Sequence, residues 1–102
     1  MLRKKEFLLD KLQNFIGWLC SEAEVDEKST IIDKLRSFQT DYNSFLQFLF
    51  KLDKVCDANG NISDDTINTH LADFKLDFKA YPQNAKDKFK RYIKCFVVAS
   101  RT

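Results

Sequence analysis

The chain has 102 residues, 44% hydrophobic and 14% aromatic, and a net charge of +2. That length holds one domain, 1–102, with one core, and so apolar a composition excludes a disordered chain. The near-neutral total gives no ground for nucleic-acid binding by itself, while two glycines and one proline are too few for a many-turned β-fold, which makes the expected class all-α.

The first expected helix covers residues 2–21. Leu8, Leu12, Phe15 and Leu19 recur at helical spacing, widened by Leu9, Ile16 and Cys20. A basic start resembles the opening of a signal peptide, but Asp10, Lys11, Gln13 and Asn14 interrupt any apolar stretch. Phe7 and Trp18 fall off the stripe, on a face shared with Lys11. They either pack on a second helix or offer an aromatic patch to a partner, because Trp buries much area on few rotors.

After the acidic "SEAEVDEKS", Ile31, Leu35, Phe38, Tyr42, Phe45, Leu49, Leu52 and Cys56 alternate steps of four and three. Such a seven-residue repeat predicts one helix of about 28 residues, roughly 42 Å long, or two collinear pieces. Its weak point is "SFQTDYNS", whose side chains compete for backbone hydrogen bonds, so a bend is expected near Thr40. Leu46, Phe48 and Phe50 lie outside the stripe and allow either a central helix or a homodimer.

The next stretch, "KVCDANGNISDDTI", resembles part of an EF-hand calcium loop. With Gly60 at the sixth position, Asp57, Asn59, Ile62 and Ser63 fall where such a loop has two oxygen ligands, an aliphatic residue and a further ligand. Its first and twelfth positions, however, hold Val55 and Thr66 in place of acids. The same letters make a helix connector: Gly60 as a left-handed stop, Ser63 as N-cap, and Ile62 and Ile67 as a hydrophobic staple. No metal site is expected.

A third helix is predicted from Ser63 toward Pro82, with Ile67, Leu71, Phe74 and Phe78 on one stripe and Asp73 and Asp77 outward. A last helix follows, with Asn84 as cap and Asp87 in its first turn. Beyond residue 82, Lys86, Lys88, Lys90, Arg91, Lys94 and Arg101 stand against Asp87 alone, so this segment carries +5 and the first 82 residues −3. Lys86, Lys90, Lys94 and Arg101, with Arg91 beside them, are expected opposite Phe89, Ile93 and Phe96. Such a stripe solvates a bundle, meets an acidic protein or follows phosphates. No aromatic is interleaved with it to stack bases.

Cys20, Cys56 and Cys95 form no C-x-x-C pair and read as reduced, in a cytoplasmic setting. His70 lacks the neighbours of a nucleophilic site and reads as structural. The expected architecture is an antiparallel bundle of four or five helices. The expected function is non-enzymatic, without metal or cofactor. The chain reads as an inhibitor, immunity or regulatory subunit that binds an acidic protein through Lys86, Lys90, Arg91, Lys94 and Arg101, and through the Phe7, Lys11 and Trp18 patch. The alternative is a nucleic-acid-binding subunit of a ribonucleoprotein or DNA complex using the same basic face.

Overall fold

A computed structural model describes residues 4–102. Five α-helices occur among them: α1 (Lys4–Ser21), α2 (Thr30–Thr40), α3 (Tyr42–Val55), α4 (Asp64–His70) and α5 (Gln83–Arg101), with no strand. Two short 3-10 turns, Ala72–Phe74 and Phe78–Ala80, lie between α4 and α5. The predicted start of the first helix at Leu2 lies outside the described residues. No described helix is long and apolar enough to cross a membrane.

The long repeat is two helices, divided at Asp41. The Asp41 backbone N–H donates to the Ser37 carbonyl at 2.9 Å and closes α2. Its carboxylate accepts from the Ser44 N–H at 3.2 Å and from the Ser44 hydroxyl at 2.7 Å, which caps α3. These bonds hold the Asp41 carboxyl below its ordinary range. The pieces are not collinear. Ten residues of continuous helix would separate Phe38 from Phe48 by about 15 Å, yet their rings lie 5.1 Å apart, nearly parallel. The bend near Thr40 is therefore sharp, and α3 folds back onto α2.

The expected third helix is also interrupted. After α4 the chain turns at Lys75, which is left-handed at φ 57°. The reason is visible in the two rings flanking that turn. Phe74 packs on Phe48 of α3 at 5.5 Å, whereas fully buried Phe78 packs on Phe89 of α5 at 5.2 Å. The chain between them kinks to reach both neighbours, so tertiary packing overrides the helical pattern. The last helix starts one residue before its expected cap. Its first N–H bonds run from Ala85 and Lys86 to the Pro82 carbonyl, each at 3.0 Å, so Pro82 and not Asn84 is the N-cap. Proline suits the place because its missing N–H would have no helical partner there.

α1 packs on α2 and α5, and α3 packs on the same two helices. Leu8, Leu12 and Leu19 of α1, Ile32 of α2, Phe45 and Leu49 of α3, and Phe89, Phe96 and Val97 of α5 are all buried in one core. Each contributes about 1.5–3 kcal/mol of apolar burial. Phe45 meets Phe96 edge-on at 5.7 Å, and Phe15 meets Phe89 at 5.1 Å, joining α3 and α1 to α5. All six apolar stripe positions from Ile31 to Leu52 are buried, with Tyr42 and Cys56 half-buried at the break and at the end.

Candidate interaction face on the last helix

The basic residues of α5 do not share one open face. At 100° per residue, Lys86 and Lys90 flank the buried stripe of Phe89, Ile93 and Phe96 instead of opposing it. Lys86 is half-buried, its ammonium 6.0 Å from the Phe78 ring centroid. Lys90 pairs with Asp64 at the start of α4, Nζ to Oδ1 at 2.9 Å. Arg101 pairs with Asp53 on α3, and its Nη1 and Nη2 donate to the carbonyls of Ala58 and Asp57, both at 3.0 Å. Three of the four expected stripe residues thus serve the fold. Lys94 is exposed, as is Arg91 one turn earlier.

The connector that resembled a calcium loop explains these attachments. The Asp57 carboxylate accepts from the backbone N–H groups of Asn61 and Asn59, both at 2.9 Å, and those bonds hold its carboxyl below the ordinary range. One oxygen of that carboxylate, Oδ1, is thus turned onto its own backbone. Gly60, at φ +83°, is not the helix stop expected for it, because α3 already ends at Val55. It closes a turn in which its N–H donates to the Asp57 carbonyl at 3.0 Å, and it lies buried against Lys94 and Val98. Ser63 caps α4 as expected, accepting from the Thr66 N–H at 3.2 Å. Among the described residues no three His, Cys, Asp or Glu side chains converge as metal ligands.

The aromatic patch on α1 is likewise altered. Trp18 is buried at 6% exposure, packed on Tyr92 at 5.8 Å and Phe89 at 6.4 Å. Its large apolar ring is drawn under α5, so of the two expected alternatives Trp18 takes packing on a second helix. Phe7 is half-buried and lies beneath the Lys11 ammonium, 5.5 Å from its centroid.

What the structure brings together is a different set. A groove of about 370 Å³ between α1 and α5 is lined by Lys11, Lys88, Arg91, Tyr92 and Cys95. Two of these, Lys11 and Arg91, were expected to bind a partner but from separate patches. Lys88 was not among the residues expected on the basic stripe. It spans both helices, 3.0 Å from Glu22 at the end of α1 and 5.7 Å from the Trp18 centroid. A wheel centred on α5 alone could not find this groove, because Lys11 enters it from the other helix. Cys95 is a free half-buried thiol, like Cys20 and Cys56. Burial pushes the Cys56 thiol up from its ordinary range, against the smaller downward pull of Arg101.

No protein-family model matches the sequence, and no curated protein or solved structure matches it.

Proposed function

We propose that the protein is a non-enzymatic interaction module that binds an acidic surface of a partner protein through the α1/α5 groove. The observation that carries this reading is the convergence of Lys11 and Arg91 on one open groove, with exposed Lys94 a turn beyond Arg91 and Lys88 held at its edge by Glu22. Positive groups from two helices, held by a rigid core, attract and orient an acidic patch. Tyr92 gives the groove an aromatic wall at the centre, as binding surfaces favour. The regulatory, inhibitory or immunity role and a cytoplasmic setting belong to the same proposal.

An antiparallel course of α1 along α5 supports the reading, since it makes the groove continuous. Lys4 donates to the Ser100 carbonyl at 2.7 Å, the Tyr92 hydroxyl lies 3.5 Å from the Asn14 carbonyl, and Glu22 meets Lys88. Early residues of one helix thus face late residues of the other. For a homodimer, Phe50 is the strongest element at 63% exposure, whereas Phe48 is engaged with Phe38 and Phe74.

The test is capture of partners on immobilised protein, with and without nuclease, comparing the native chain with Lys11→Glu/Arg91→Glu. The proposal expects a nuclease-resistant protein partner that the double variant loses. Capture that vanishes with nuclease, and isolated RNA or DNA binding that falls log-linearly with salt, would establish the nucleic-acid alternative. A double variant that folds and captures every partner as before would remove the groove from the function.

A further inference from the structure

A second hollow lies where α3 folds back on α2, away from the α1/α5 groove. It encloses about 540 Å³ and has Phe38, Phe48 and Phe74 among its lining residues, with Lys34 and Lys51 contributed by the two helices. The Phe38 and Phe48 rings are stacked, 5.1 Å apart and 25° from parallel, and Phe74 meets Phe48 edge-on at 5.5 Å. Phe48 and Phe74 are only half-buried, so this aromatic floor reaches solvent. Sites for small organic molecules are typically about 300–1,000 Å³, apolar within and set with a few polar groups.

We propose that this hollow binds a small aromatic anion: a flat ring system carrying a carboxylate or sulfonate. The ring is recognised by the half-buried Phe48 and Phe74, with Phe38 buried beneath Phe48 as their support, because offset and edge-on contacts suit flat π-systems. The anionic group is recognised by Lys34 and Lys51. Both are exposed, and among the described residues no Asp or Glu lines the hollow. Their positive charge at the rim of the hollow attracts an anionic group toward the aromatic floor. Gln47, on the same wall, adds a neutral donor and acceptor that can bond the acid group. The lysine pair disfavours a cationic ligand, and the Phe floor gives a sugar or free phosphate no apolar gain.

The sequence hid this hollow. Phe38 and Phe48 are ten residues apart in what reads as one rod, and become neighbours only through the reversal at Asp41. The inference is independent of the partner reading, since none of its residues lines the α1/α5 groove.

The test uses the full chain and 8-anilinonaphthalene-1-sulfonate, followed by fluorescence and by amide chemical shifts. One saturable site is expected, displaced by 2-naphthoate and not by the neutral 2-naphthylmethanol. Shift changes should centre on Phe48, Thr69, His70 and Phe74. Lys34→Gln/Lys51→Gln alters exposed side chains only and should weaken binding about tenfold or more, while Lys11→Gln/Arg91→Gln should leave it unchanged. The proposal is overturned by the absence of saturable binding below about 1 mM, by equal binding to the lysine double variant, or by shift changes confined to α1 and α5.

Discussion

The Arg101 guanidinium rests on the Asp53 carboxylate, and its outer nitrogens reach two carbonyls of the connector beyond α3. A residue that sequence spacing assigned to a partner thus fastens the end of α5 to the segment after α3. Its side chain is about one-third exposed, so solvent screens the charge pair and the two backbone bonds contribute comparably. Arg101→Ala should cost roughly 1–2 kcal/mol in urea unfolding. Arg101→Lys should recover only part of this, because an ammonium lacks the planar fork. Partner capture through the α1/α5 groove should be unaffected. A variant that unfolds at the native urea midpoint would show that the clasp contributes nothing.

Gly60 makes a second attachment of the same connector. A Cβ added there would stand 3.0 Å from Val98 Cγ2 and 3.3 Å from Lys94 Cγ, on a backbone at φ +83°. Gly60→Ala therefore combines steric conflict with left-handed strain and should cost about 1–3 kcal/mol. Adding Val98→Ala should relieve the crowding and leave the strain, so the double variant should be less destabilised than the two single effects together. Strict additivity in a thermal-melt cycle would place the whole cost in the backbone.

Two serines stand at helix starts and should behave differently. Ser63 accepts the Thr66 N–H, so Ser63→Ala should cost about 1 kcal/mol. Ser29 occupies the N-cap of α2 but makes no side-chain cap bond, and its hydroxyl is buried without a partner. Ser29→Ala should therefore be neutral or slightly stabilising, within about 0.5 kcal/mol. Equal losses at both sites in paired denaturation curves would contradict this distinction.

Periodicity reveals which side chains are buried and says nothing of where the next helix points. The stripe from Ile31 to Leu52 was readable in full, as was its weak point, since Asp41 and Ser44 carry capping chemistry in their letters. The reversal at Asp41 was not readable, and it creates the Phe38–Phe48 hollow. The same blindness applies to charge. A wheel of α5 alone gives Lys90 and Arg101 no partner, because Asp64 and Asp53 belong to other helices and meet them only after folding. For Trp18 the letters left two alternatives open, and α5, by covering that side of α1, decides for packing. Phe74 and Phe78 kept helical spacing because each packs on a different helix, with a left-handed Lys75 between them.

Tyr81 supplies a pH signature of the fold. Its hydroxyl is buried without a hydrogen-bond partner, and burial pushes its pKa up to about 12 from 10.0. Between those values the folded protein holds the phenol proton more firmly than the unfolded chain, so unfolding releases protons there. Tyr81's contribution is therefore fully present below pH 10 and is lost as pH rises through about 12. Tyr81→Phe removes both the titration and the unpaired hydroxyl. At pH 7 the variant should be equally stable or more stable by up to about 1 kcal/mol. Above pH 10 the native protein should lose stability faster than the variant. Urea unfolding of the pair at pH 7, 9, 10 and 11 measures it. A constant difference across that series would mean that the Tyr81 phenol is not held neutral by the fold.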